Sequence, residues 1–209
     1  MSGLLITLTL SIWIIIFGTI LGLLVAFGKT SKVFIIRKFC CIYVDFFRMM
    51  PILIMLIWLY YALPIATGMA FGAFETGIFA LSLHLSAYVG ELIRSGIESI
   101  PKGEIEAAKI LGLSRLQIIH RIMLPQIFRK LLSPLTGLYI EEIKNTTIVS
   151  VIALNELLHT GQIIISQTYR PLEIYTAIAI MFIIILIPLI VISKKFEYAT
   201  FIRNIECEH

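Results

Sequence analysis

Residues 141–147 read Glu-Glu-Ile-Lys-Asn-Thr-Thr and interrupt an otherwise apolar stretch. On a helix Glu141, Lys144 and Asn145 stand at i, i+3 and i+4 and share one face, while Glu142 and Thr146 share the neighbouring face. Ionisable groups inside an apolar segment are costly, so they are kept where they meet a partner or a polar cavity. Carboxylate and ammonium can neutralise each other within the helix. They can instead meet the ammonium and carboxylate of a zwitterion such as an amino acid. A third arrangement places the cluster at a membrane interface. Glu141, Glu142, Lys144, Asn145 and Thr146 are therefore the candidate solute-pathway groups.

Other chemistry is thinner. His84, His120, His159 and His209 stand apart, with no pair at ligand spacing. The tail residues Cys207, Glu208 and His209 are metal-ligating types, but they are not taken as a site. The chain has 3 cysteines, an odd number, and Cys40 and Cys41 are neighbours. No disulfide framework follows, and reduced thiols are expected. Gly28-Lys29-Thr30 approaches the end of a phosphate-cradling loop, yet the required glycine falls on Leu23 and Gly22 is one residue early. No Ser/His/Asp or paired-carboxylate arrangement has a water-excluding site around it. The chain is not read as an enzyme and is expected to hold no cofactor or metal of its own.

Composition says what must position these groups. The 209 residues are 59% hydrophobic and 14% charged, with a formal charge of +4 and a mean hydropathy of +0.97. Soluble domains run about 45–50% apolar and about 25% charged, so a soluble domain and a disordered chain are both excluded. The basic balance fits loops facing the cytoplasmic side of a membrane better than it fits nucleic acid.

A bilayer core needs about 20 apolar residues per helix. Five runs qualify, at approximately 4–27, 40–65, 74–93, 128–152 and 172–192. The third carries His84, Ser86, Tyr88 and Glu91, and the fifth is interrupted by Pro188. No basic residue precedes the first run, which is too long for a signal-peptide core and reads as a spanning helix. Gly18 and Gly22 on that run let another helix come close. Lys29, Lys32, Arg37 and Lys38 follow it. The 95–127 loop and its edges hold Arg94, Lys102, Lys109, Arg115, Arg121, Arg129 and Lys130. The tail adds Lys194, Lys195 and Arg203. The alternate loops carry almost no Lys or Arg, which places the N-terminus outside and the C-terminus in the cytoplasm. One transmembrane domain over 1–209 is expected.

The 95–127 loop reads as two short helices. Pro101 opens the first, Glu106 to Ile110 continues it and Gly112 stops it. Ser114 caps a second over Arg115 to Met123, expected to close before Pro125. Its apolar positions suit docking in a partner's groove or lying on lipid.

Glu106-Ala107-Ala108-x3-Gly112-x9-Ile122-x-Leu124-Pro125 resembles the EAA loop of bacterial ABC importer permeases. The run from Ser86 through Tyr88, Glu91, Arg94 and Gly96 to Gly103 resembles the polar amino acid branch of the histidine and glutamine type. So do Phe47-Arg48-x-x-Pro51, Lys144-x-Thr146, Ser150-Val151-Ile152 and Glu156-Leu157. The resemblance implies an all-α membrane protein of the type I importer permease fold, with five spans. It also implies a second permease subunit, identical or related, an external solute-binding protein, and a cytoplasmic ATPase dimer that binds ATP and Mg. Glu106, Ala107, Ala108, Gly112, Leu124 and Pro125 become the ATPase-coupling residues, with the alanines allowing close approach to the groove wall. The family commonly has Lys-Asp-Thr-Ser where this chain has Lys144-Asn145-Thr146-Thr147. Asn145 carries no charge, which weakens the case for a cationic substrate. The alternatives are an importer of another small polar solute and a stand-alone transporter or channel. Five runs without a visible inverted repeat speak against the latter.

Overall fold

A computed structural model describes residues 2–205, with side chains over 2–195. Cys207, Glu208 and His209 lie outside the described residues. Helices α1 (Ser2–Lys29) and α2 (Phe34–Met49) are followed by α3 (Ile52–Ile57) and α4 (Leu63–Thr67), which a π-helical turn, Trp58–Ala62, joins. Next come α5 (Ala73–Glu98), α6 (Lys102–Ile110) and α7 (Arg115–Ile118), then a second π turn, Ile119–Met123, and α8 (Leu124–Asn145). A 3₁₀ segment, Thr146–Ile152, leads to α9 (Leu157–Thr168) and α10 (Pro171–Ile205). Among the described residues there is no strand.

Among the described residues three helices are long and apolar enough to cross a bilayer alone: Ser2–Lys29, Ala73–Glu98 and Pro171–Lys195. Two bent pairs raise the number to as many as 5 if each is one span. The 40–65 stretch, read as one span, is divided between two helices that meet at 102° around Met50 and Pro51. Pro51 has no N–H to continue α2, and it forces the preceding residue out of the helical region. Met50 accordingly sits at ψ 127°.

Packing fixes the helix directions. Leu10 lies against Gly77, Leu85 against Gly18, and Val89 against Gly22. The register advances equally on both helices, so α1 and α5 run parallel. A Cβ on Gly22 would stand 2.7 Å from Val89 Cγ1, and one on Gly18 would stand 2.7 Å from Leu85 Cδ2. Leu131 meets Gly96, Glu142 faces His84, and Val149 meets Gly77, so α8 runs antiparallel to α5. With α1 and α5 parallel, residues 30–72 must carry the chain back across the bundle, and the bent pair makes that single return.

The rod Arg115–Ile152 departs from expectation: no break precedes Pro125, because the π turn runs directly into α8. A proline in a regular α-helix leaves the carbonyl four residues earlier without a donor and crowds it. Here the N–H of Leu124 reaches back five residues to the carbonyl of Ile119, widening the turn that precedes Pro125. Leu63 and Pro64 repeat the device, with the Leu63 N–H bonded to Trp58. Widened turns of this kind are the usual means of absorbing a helical irregularity. Pro188 likewise does not interrupt α10, contrary to the reading of the fifth run.

The far end of the bundle is pinned by buried polar groups. Glu156 is fully buried and caps α9, accepting from the N–H groups of Leu158 at 2.8 Å and His159 at 2.7 Å. The Thr7 hydroxyl accepts from the Leu157 N–H at 3.0 Å, tying α9 to α1. Gly161 admits Ile178, so α9 and α10 close as a hairpin.

The close α1–α5 contact predicts that Gly22→Leu overpacks the pair and costs about 1–3 kcal/mol. Thermal unfolding of the purified protein in detergent should show a lowered Tm, and an unchanged Tm would rule out the contact.

Candidate functional site

A polar seam descends along the α5–α8 crevice. On α5, His84, Tyr88, Glu91 and Ser95 recur at intervals of four, three and four residues, which puts them on one helix face. Opposite them, α8 presents Pro134, Leu138 and Glu142.

The charged end of the seam is a network. Lys29 Nζ, at the end of α1, lies 2.5 Å from Glu91 Oε2. Arg94 grips the same carboxylate from one turn away, with Nη2 2.6 Å from Oε1 and Nε 3.1 Å from Oε2. It also pairs with Glu98. The Lys29 side chain is only 9% exposed. These contacts lock the end of α1 to α5 and occupy both oxygens of Glu91.

One turn further in, the guanidinium of Arg48 sits 5.3 Å from the centre of the Tyr88 ring. This distance is within the range of attraction between a cation and an aromatic face. Tyr88 also packs on His84, with ring centroids 4.9 Å apart. A cavity of about 280 Å³ opens here, lined by Arg48, Tyr88, Glu91, Ser95, Pro134 and others. The Tyr43 hydroxyl, 2.6 Å from Ser86 Oγ, holds α2 against the back of α5.

The deepest groups are Glu142 and its neighbours. Glu142 is 3% exposed. Its Oε2 accepts from Asn145 Nδ2 at 3.3 Å and lies 3.5 Å from His84 Nδ1. Glu142 Oε1 and His84 Nδ1 make no hydrogen bond among the described residues. A cavity of about 20 Å³ beside them, walled by His84, Tyr88, Leu138 and Glu141 among others, has room for about one water molecule. The seam thus offers a carboxylate at its deep end and a guanidinium nearer the charged end.

The expected cluster is therefore split. Glu142 and Thr146 point inward and Asn145 is half-buried, whereas Glu141 and Lys144 are exposed. Among the described residues no ion pair joins Glu141 to Lys144, so the internal-neutralisation arrangement is not the one formed. Thr146 is fully buried and returns its hydroxyl to the Ile143 carbonyl at 2.7 Å. Sequence reasoning did not assign Arg48, His84, Tyr88, Glu91 or Lys29 to the site. The repeat on α5 was a usable signal, while Lys29 was read as a topology charge and as part of Gly28-Lys29-Thr30, and Arg48 as part of Phe47-Arg48-x-x-Pro51.

The 95–127 loop forms an exposed elbow. Gly112 takes φ +77°. The Leu113 N–H bonds the Ala108 carbonyl at 3.1 Å and the Gly112 N–H bonds that of Lys109 at 3.0 Å, the paired bonds that close a helix through a left-handed residue. Ser114 and Gln117 exchange a reciprocal cap on α7. Glu106, Ala107, Leu124 and Pro125 are exposed, and Ile110 and Leu111 are 86% and 80% exposed. Ala108, at 3%, faces inward, while Ala107 is exposed. Gln126 Nε2 bonds Glu104 Oε2 at 2.6 Å, and Lys130 Nζ bonds Ser99 at 3.1 Å. The elbow is thereby strapped to α8 and to the end of α5.

Residues 18–198 match the family described as the binding-protein-dependent transport system inner membrane component. The chain belongs to that family. The permease is 37% identical over 169 residues to a putative glutamine transport system permease protein GlnP of Rickettsia bellii, covering 81% of this chain and 78% of the relative. It is 33% identical over 192 residues to the glutamine transport system permease protein GlnP of Escherichia coli K12, covering 91% and 88%. Its fold superposes with a TM-score of 0.88 on the crystal structure of an amino acid ABC transporter with histidines, at 33% identity over 95% of this chain and 92% of that one. The MetNI methionine ABC transporter shares the fold at a TM-score of 0.75 and 19% identity, over 95% and 94% of the two chains. The permease is an all-α membrane component of the importer type, and the family is one of transport components and not of catalytic subunits.

The network at the charged end predicts strong coupling between Lys29 and Glu91. A double-mutant cycle with Lys29→Met and Glu91→Gln, read by detergent unfolding, should return a coupling energy of about 0.5–3 kcal/mol. Additive effects would show that the pair contributes nothing.

Proposed function

We propose that this permease forms, as one domain over 1–209, the membrane path of an ATP-driven importer for polar amino acids. Its relatives at 33–37% identity are named as glutamine permeases, and the superposed transporter at 33% identity is described with histidines. The observation that carries the reading is a membrane bundle with a polar seam joined rigidly to an exposed apolar elbow. Ile110 and Leu111 stand at the outermost turn of that elbow, where an isolated subunit would gain nothing by exposing them.

In this reading Glu106, Ala107, Gly112, Leu124 and Pro125 contact a cytoplasmic ABC ATPase dimer, and Ala108 supports them from beneath. The ATPase binds ATP and Mg, and the permease itself carries no cofactor. A second permease subunit, identical or related, completes the path. An external solute-binding protein delivers the solute. The charge distribution and the parallel course of α1 and α5 support an N-terminus outside and a C-terminus in the cytoplasm. The solute passes Glu142, Asn145 and Thr146, with Glu141 and Lys144 exposed toward the pathway. Glu142 can receive a substrate ammonium, because Asn145 satisfies only one of its oxygens.

Reconstituted with the ATPase and a loaded binding protein, the permease should stimulate ATP hydrolysis. Glu106→Ala or Gly112→Asp should lower that stimulation by about tenfold; the latter places a side chain at a left-handed residue, at about 1–2 kcal/mol. Transport without any ATPase would instead establish the stand-alone reading. In the same vesicles, Glu142→Gln and Lys144→Ala should change uptake or substrate preference while ATPase association persists. Dissociation of the complex by these two variants would assign them a structural role.

A further inference from the structure

Arg48 is a cation that makes no ion pair with an acid among the described residues. It lines the cavity of about 280 Å³ between α2, α5 and α8. Its recorded contact among the described residues is the Tyr88 ring, 5.3 Å from the guanidinium carbon. Glu91 borders the same cavity, but both of its oxygens are held by Lys29 and Arg94. Asp45, one turn earlier on α2, makes no ion pair with it among the described residues. Arg48 is exposed on the isolated subunit near the C-terminal end of α2, so its guanidinium is open to a solute or an acidic partner, and ionisable groups that border the space between spans mark such paths. The aromatic clamp costs the guanidinium none of its donors, so a fork of N–H groups remains open toward the cavity.

We infer that Arg48, held against Tyr88, is the subsite for the α-carboxylate of the transported solute. The inference rests on the proposed import of polar amino acids and deepens it by naming the group that is recognised. A guanidinium offers two parallel N–H groups to a carboxylate, which fixes its orientation as well as its charge. The cavity is close to the lower limit of about 300 Å³ for small-ligand pockets. His84 on α5 and Glu142 on α8 lie further along the same seam, so a zwitterion moving between the two ends meets opposite charges. Arg48 thus selects for a free carboxylate whatever the side chain, which leaves discrimination between side chains to other groups. The carboxylate could also belong to the second permease subunit, and the test separates the two sources.

The test uses the purified permease–ATPase complex without its binding protein, with radiolabelled L-glutamine and L-histidine and their α-amides as competitors. The wild-type complex should prefer each free acid to its α-amide by at least about tenfold. Arg48→Ala and Arg48→Gln should weaken binding of the acids by about tenfold to a hundredfold and leave the amides unchanged, so that the preference collapses. Tyr88→Leu should reduce the preference part of the way. Full retention of the preference in both Arg48 variants overturns the inference. So does separation of the permease pair in both variants, which assigns Arg48 to an acid of the second subunit. If the wild-type complex binds neither amino acid nor amide, the reading of the protein as a path for these solutes fails first, and the subsite with it.

Discussion

The bundle depends on how closely α1 and α5 approach. Gly18 and Gly22 present no side chain, and Leu85 and Val89 fill the space a Cβ would take. In lipid there is little hydrophobic drive to bring helices together, so contact of this intimacy is what holds them. Once α1 is seated on one side of α5, the remaining side is left for α8. That remaining side is where His84, Tyr88, Glu91 and Ser95 stand. A bulkier residue at Gly22 would loosen the pair and also tilt the polar face away from Leu138 and Glu142.

Much of this architecture was readable in the residues. The glycine spacing on α1, the Gly112 stop and the Ser114 cap are local signals, and each acts through a few neighbouring residues. The bend at Met50 and Pro51 was harder to read, because apolarity continues on both sides of it. Composition reports how a segment partitions into lipid, and it does not report direction. Pro125 and Pro188 misled for the opposite reason. Proline has a strong local cost, but a widened turn upstream removes the clash at Pro125 and the helix continues. Two Leu-Pro pairs, each preceded by a π turn, show the same solution used twice.

The site was only half legible. The charge in residues 141–147 drew notice because it interrupts an apolar run. Which of those groups turn inward depends on where α5 lies, and helix periodicity alone placed Glu141 and Lys144 with Asn145. The opposing helix chose Glu142 with Asn145 instead. Arg48 stood within the motif Phe47-Arg48-x-x-Pro51, which by itself says nothing of what the guanidinium touches, and Lys29 was invisible as a site residue, because a cation near the end of a span has an adequate explanation as a topology signal. Their role follows from what they touch: Tyr88 in one case and Glu91 in the other.

The helical rod from Arg115 to Ile152 has a mechanical consequence. At about 1.5 Å per residue it is roughly 55 Å long, more than the thickness of the hydrocarbon core. It is strapped at one end by Gln126 and Lys130, and at the other it leads into the buried Glu156 cap. A stiff lever of that length converts a small angular change into a large displacement. A tilt of about 10° about its midpoint carries each end about 5 Å, in opposite directions. Pressure on the elbow at Gly112 would therefore be felt at the far rim of the bundle as an outward stroke, with Pro134 near the fulcrum moving least and Glu142 carried about half as far as the rim.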